Sequence, residues 1–408
     1  MRIKDFIFRK RNRRTRVFRG DKPNVGLVVT TFDKGGLEQV VLNLYFGYKN
    51  AGYNVYMLCQ NNILGIMAEQ VESDNMIVFN NSMEIFLDNI FRYNINVLHY
   101  HYNIFGCEEA RRCGVYTIYT MHNVYTWKDD NELKEYNKYL QHMDAVVAVS
   151  SLVKNYYLTR VSEQLKNICV INNGIDFLEL ANKELPHSLE RKSLGFEESD
   201  VLLGFVASFY PVKYQIGMIG VMEDLIKDYP NIHLLFVGNS ENDYYKDFIK
   251  EYEQSVAKDN IHVISYFEHK YMGSFLRNVI DIFTLPTLQE GCSNAVLEAV
   301  YCEKPMVLTN VGNAMEVDFL ESCVVVNPAY DDITKVSNEE ILQISKEKDS
   351  KNKAELVSAF LKMVCNLDFY KGKACLSEST KKEYETKTMV ERYIHLIEET
   401  YANNKNQE

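Results

Sequence analysis

Glu290 and Glu298 stand eight positions apart in PTLQEGCSNAVLEAV (286–300), separated by Gly291 and a short polar run. Pro286 stops the apolar run before it, and Ser293 or Asn294 caps a helix that continues Ala-Val-Leu-Glu-Ala-Val. Glu290 then sits on a loop beyond a strand end. Glu298 lies one turn along from Asn294, on the same helix face. The free amides of residues 294–296 and two carboxylates thus converge on one small volume. Amides at a helix start suit a diphosphate, and carboxylates suit the hydroxyls of a sugar or ribose through charge-assisted hydrogen bonds. The other job for such acids is to offset the helix dipole, which suits Glu290 poorly because it precedes the helix.

Three more groups have chemical potential, each with a plainer alternative. Gly35 and Gly36 in VVTTFDKGGLEQVVLNL (28–44) fall between an apolar run and a helical one, where backbone can approach an anion. They are equally an ordinary turn, and no GxGxxG fingerprint points to a nicotinamide. Lys213 in GFVASFYPVKYQ (204–215) precedes a helix and is either a point charge for a diphosphate or a surface lysine. His99 and His101 in VLHYHYN and His122 in YTMHNVY end two successive expected strands. There they face a crevice and can touch a hydroxyl or a phosphate, or they are satisfied structural histidines. His99 and His101 flank Tyr100 and so share a strand face.

These residues need elements to aim them. Short β-rich runs at 24–31, 53–59, 96–102, 115–120 and 144–150 alternate with amphipathic segments such as 37–49. After a charged connection at 184–200, a second series runs through 201–207, 232–238, 261–265, 281–286, 305–310 and 323–327. An amphipathic helix at 388–404 follows, with Val390, Tyr393, Ile394, Ile397 and Tyr401 on one side. Such alternation implies parallel sheets wrapped by helices, with ligands beyond the carboxyl ends of the strands.

The chain of 408 residues is long enough for two domains. It has no apolar run near the roughly 18–20 residues of a membrane span and no apolar leader segment. Nine scattered cysteines without a CxxC pair read as free thiols in a reducing cytoplasm. Net charge is −11, yet residues 1–22 hold ten Lys/Arg against two Asp. The acidic body disfavours nucleic acid. The basic arm, interleaved with Ile3, Phe6, Ile7, Phe8, Val17 and Phe18, suits an anionic membrane surface on the inner face of the cell membrane; a solvated tail is the alternative.

From about residue 24 to 401 the chain resembles the GT4-type, or group 1, retaining glycosyltransferases. The segment DIFTLPTLQEGCSNAVLEAVYCEKPMVLTNVGNAMEV (281–317) carries most of the likeness, with VINNGID (170–176) and the Gly35–Gly36–Leu37–Glu38 loop beside it. The resemblance implies an α/β GT-B fold: two Rossmann-like doubly wound parallel-sheet domains facing across a cleft. Its divisions would be a basic arm (1–22), an acceptor domain (23–184), a nucleotide-sugar domain (185–384) and a C-terminal helix crossing back (385–408).

By the same resemblance, Glu290 would bind donor-sugar hydroxyls, Glu298 the ribose and Lys213 the diphosphate, with His122 near the reacting centre. His122, Glu290 and Lys213 form the implied catalytic set. Gly35, Gly36, Ser208, Lys213, Glu290, Gly291, Cys292, Ser293, Asn294 and Glu298 form the implied donor site. The donor would be a UDP- or GDP-sugar, with no other cofactor. No D-x-D triplet calls for a metal. The family pattern G-R-x4-K is broken, because Ser208 stands where the arginine belongs; Arg92 or Arg111 could replace it if the fold brings either near. The implied activity is transfer of a hexose or N-acetylhexosamine to a glycan or lipid-linked acceptor in bacterial surface polysaccharide synthesis. A non-catalytic sugar-nucleotide-binding partner subunit and a GT-B epimerase are the alternatives.

Overall fold

The computed structural model describes residues 22–160, 168–181 and 183–405; the basic arm of residues 1–20 lies outside them. Two all-parallel sheets organise the chain. The first holds seven strands in the order β3-β2-β1-β4-β5-β6-β7. They are β1 (Val25–Val29), β2 (Val55–Cys59), β3 (Met76–Val78), β4 (Val97–His101), β5 (Tyr116–Met121), β6 (Ala145–Ala148) and β7 (Ile168–Val170). The second holds six in the order β10-β9-β8-β11-β12-β13. These are β8 (Val201–Val206), β9 (Ile232–Val237), β10 (Ile261–Ile264), β11 (Ile282–Leu285), β12 (Met306–Thr309) and β13 (Cys323–Val326).

Helices cover both faces of each sheet, so the central strands are apolar without alternation, as VGLVV in β1 and IFTL in β11, every residue buried. Both sheets reverse direction of winding at their centre, between β1 and β4 in one and between β8 and β11 in the other. A crevice opens at such a point. Four loops leave the strands that flank it: Gly35–Gly36 after β1, Tyr102 after β4, 207–213 after β8 and 286–293 after β11. Register is fixed at both centres, with Val28 opposite Tyr100 and Phe283 opposite Gly204.

The closing helix, Thr386–Lys405, returns to the first domain. It begins beside a parallel bridge between Ile175 and Glu385, where the Thr386 amide donates to the Ile175 carbonyl at 3.0 Å. It then lies on helix Gly36–Asn50, and Gly47 is the contact point: a Cβ there would meet Val390 Cγ2 at 2.4 Å. Met389, Val390, Tyr393 and Ile397 join Leu27 and Val29 of β1 and Val41 and Leu44 in one apolar cluster. Among the described residues, no helix is long and apolar enough to cross a membrane. None of the nine cysteines is in a disulfide.

Candidate active site

A cleft of about 1200 Å³ separates the carboxyl ends of the two sheets. Gly35, Gly36 and His122 line its first-domain wall; Ser208, Lys213, Glu290, Cys292, Ser293, Asn294 and Glu298 line the other. The walls come close: a Cβ on Gly36 would lie 3.9 Å from Asn294 Nδ2. Gly291 does not line the cleft; its role is contact. A Cβ there would stand 1.8 Å from the carbonyl oxygen of His122, so only glycine lets the domains meet at this point. Beside it, Gln289 donates from Nε2 to the Val124 carbonyl and accepts from Thr126 Oγ1 at 2.8 Å.

Helix Asn294–Tyr301 starts as its sequence dictates, with Ser293 as N-cap. The Ser293 hydroxyl accepts from the Val296 amide at 3.4 Å, so only Asn294 and Ala295 keep amides for a ligand, not all of 294–296. Asn173, from VINNGID, clamps this turn by donating to Cys292 O at 2.9 Å and Asn294 Oδ1 at 3.1 Å. The two carboxylates engage different bases. Glu290 pairs with Lys213, and Glu298, only 5 % exposed, accepts from His269 Nε2 at 2.8 Å. The Lys213 loop is tied to the Glu290 loop, since Leu288 N–H and Thr287 Oγ1 both donate to Val212 O, at 2.7 and 2.6 Å. Tyr214, directly after Lys213, is held at φ +64° with its hydroxyl donating to Glu347 O at 3.0 Å. A buried tyrosine in this left-handed region is a strained residue kept in place by its surroundings, and it fixes where Lys213 points.

The histidines divide differently from the sequence expectation. His99 and His101 do not face the crevice: both are fully buried in β4, His99 against Tyr48 and Tyr393 of two covering helices and His101 between His99 and His122. His122 alone of the three borders the cleft. Burial holds His99 and His122 down at about 3 and lowers His101 as well. All three therefore stay neutral in the fold while the unfolded chain takes up protons below its ordinary histidine value near 6.5. The folded state binds fewer protons there, so stability is full above that value and falls as pH drops towards 3. The unfolding free energy from urea titration should thus fall between pH 7.5 and 5, by up to about 1.4 kcal/mol per pH unit for each such histidine at the acid end, and the urea midpoint with it. An unchanged midpoint would contradict this burial.

Neither Arg92 nor Arg111 replaces the arginine missing at Ser208. Arg111 is paired with Asp144 at 3.3 Å, Arg92 lies over the Tyr93 ring, and neither borders the cleft. The cleft lysines are Lys213 and Lys34, the latter exposed beside Gly35 and with no ion pair among the described residues. Lys34, Tyr102, Asn173 and His269 are among the cleft residues that sequence reasoning missed. For Lys34 and Asn173 a signal existed, since each lies inside a singled-out segment. Among the described residues, no group of three His, Cys, Asp or Glu is placed to hold a metal ion.

Known proteins place this architecture. Anabaena HepE, whose crystal structure is in complex with UDP and glucose, superposes with a TM-score of 0.72 over 92% of this chain and 100% of its own, at 14% identity. The fold is GT-B. The model described as "Glycosyl transferases group 1" matches residues 187–355, and "Glycosyltransferase Family 4" matches residues 34–177. Between them they take in most of both domains, and the chain belongs to the GT4-type, group 1 glycosyltransferase family. An uncharacterised glycosyltransferase of Methanocaldococcus jannaschii is 27% identical over 235 residues, 55% of this chain and 58% of that relative. The capsular polysaccharide biosynthesis glycosyltransferase CapM of Staphylococcus aureus is 25% identical over 177 residues, 42% of this chain and 44% of its own. The matched stretches thus span about half the length of these curated relatives.

Proposed function

We propose that the chain is a retaining, metal-independent glycosyltransferase that moves a hexose or N-acetylhexosamine from a UDP- or GDP-sugar to a glycan or lipid-linked acceptor in surface polysaccharide synthesis. The observation that carries the reading is the meeting of Lys213, Glu290, Glu298 and the Asn294 and Ala295 amides on one wall, with His122 on the other. The UDP and glucose of HepE and the capsular role in CapM's name support the donor class and the setting.

In this reading the amides and Lys213 hold the diphosphate, Glu298 exchanges His269 for the ribose hydroxyls, and Glu290 turns to the sugar. The bond from the anomeric carbon to the diphosphate breaks as the acceptor oxygen bonds that carbon from the same face. The acceptor proton passes to the departing phosphate oxygen. His122 contributes hydrogen bonding, since its burial keeps it uncharged. Lys34 supplies the second cation across the cleft, in place of the family arginine.

Thermal-shift screening with UDP, GDP and their sugars, followed by product detection with an acceptor panel, tests the activity. A nucleotide that stabilises the protein while no sugar is transferred or hydrolysed would favour the partner-subunit alternative. Lys34→Ala should weaken binding of the selected nucleotide about tenfold, the scale of one charge-assisted contact. Equal affinity would remove Lys34 from the site. We also place the protein peripherally on the inner membrane leaflet through residues 1–20. Deleting them should abolish binding to anionic vesicles at low salt, and retained binding would refute that placement.

A further inference from the structure

His101 is a costly residue for a core position. Its Nδ1 lies 2.8 Å from His122 Nε2, while its own Nε2 is buried with no partner. The neighbouring His99 differs, because both of its ring nitrogens are engaged: Nε2 with Thr120 Oγ1 at 2.7 Å and Nδ1 with Tyr48 Oη at 3.3 Å. An apolar side chain at 101 would fill the same space without burying an unpaired nitrogen, so the bond to His122 is what distinguishes a histidine here.

The orphaned atom also decides which way the proton sits. A buried N–H without an acceptor is rarer than a buried acceptor without a donor. That places the His101 proton on Nδ1, from which it donates to His122 Nε2. A neutral His122 whose Nε2 accepts must carry its own proton on Nδ1. His122 Nδ1 makes no hydrogen bond to a described residue and is not among the buried polar atoms lacking a partner, which leaves it open to the cleft the residue lines.

We propose that His101 is a positioning residue that locks His122 in the tautomer protonated on Nδ1, so that His122 presents an N–H donor to the bound sugar. This rests on the reading of His122 as a sugar-contacting residue. The donor is aimed in advance: the His101 ring packs at a tilt of 40° against His99, with centroids 4.1 Å apart, and His99 is in turn packed against Tyr393 of the closing helix. Turning His122 by half a ring would break the only bond that His101 makes to it.

The decisive measurement is made on the full chain labelled with [15N]histidine. Long-range 1H–15N correlation spectra distinguish the two neutral tautomers, and His122→Asn identifies the His122 signals. The expected result is protonation on Nδ1. Protonation on Nε2, or an even mixture of tautomers, would overturn the proposal. Kinetics supply the second arm. His101→Leu should lower kcat by roughly 10- to 100-fold, the range found for residues that orient another histidine's ring, with donor KM nearly unchanged. His101→Asn, whose amide nitrogen takes the place of Nδ1, should recover most of that loss. Equal losses in Leu and Asn, or none in Leu, would overturn the proposal, and the spectra decide the case if Leu fails to fold. Full activity in His122→Ala would refute the role of His122 itself while leaving the tautomer measurement intact.

Discussion

Glu298→Gln should weaken donor binding by about 10- to 100-fold, and Lys213→Ala should lower kcat/KM by about 10²- to 10³-fold. Glutamine keeps the size of Glu298 at a site that is 5 % exposed, so the helix it sits on has no reason to rearrange. What it loses is charge on the group that meets His269 at 2.8 Å and, in our reading, the ribose hydroxyls. Hydrogen bonds to a charged partner contribute about 1.5–3 kcal/mol, which sets the expected range. Removing Lys213 acts twice in one direction. It takes a cation from the leaving diphosphate, an interaction whose loss elsewhere costs about 10²–10³ in rate. It also leaves Glu290 unpaired in the same wall, where its charge repels the phosphates. The double change Lys213→Ala, Glu290→Gln separates the two: partial recovery of affinity would measure the repulsion. Steady-state kinetics with the donor found by thermal shift, and calorimetry with its nucleoside diphosphate, provide the readout. Wild-type behaviour in both single variants would sink the assignment of this wall.

Gly291→Ala should be nearly as damaging although it removes no functional group. The added methyl would sit 1.8 Å from His122 O, which is covalently part of the facing wall, so neither side can yield by a rotamer change. The domains must separate, and the Gln289 bonds to Val124 and Thr126 must stretch with them. Misplacing reacting groups by about 1 Å can cost about 10²-fold in rate, while an overpacked contact costs about 1–3 kcal/mol of stability. The expected outcome is a folded protein with a lowered melting temperature, a loss in kcat and a smaller loss in nucleotide affinity, because the Lys213 and helix-amide contacts to the diphosphate lie together on the second-domain wall and only Lys34 reaches it from the other. A wild-type kcat would show that the two walls need not touch during turnover.

Much of this was legible because a doubly covered parallel sheet writes itself as continuous apolar runs. All six strands of the second sheet fall on such runs. The three-residue strands β3 and β7 were not read, since three residues carry no countable period. β2 likewise begins at Val55, later than its run suggested. The E-x7-E spacing was readable because its cap and helix are local in sequence. The fate of His99 and His101 was not: what covers His99 is Tyr48 from one helix and Tyr393 from the closing helix, beyond the whole second domain, and His101 is closed in by His99 and His122. His269 escaped for a similar reason, because only the fold brings it from the end of β10 to Glu298. Lys34 lay inside a segment already singled out for its glycines, and its place on the cleft wall, with no ion pair among the described residues, is a property of the assembled fold.

The closing helix has a consequence for how the protein is made. Its residues 389–397 complete the apolar cluster around β1, and Val390 seats on Gly47. A ribosome therefore finishes the entire second domain before it delivers the last piece of the first domain's core. Until then the surface around Val41, Leu44 and Tyr45 is exposed on an unfinished chain, in the window when nascent proteins are most prone to aggregate. The second domain, whose own strands are contiguous in sequence, can settle first. Order of folding would then run against order of synthesis, with the first domain sealed by a helix that emerges after the second.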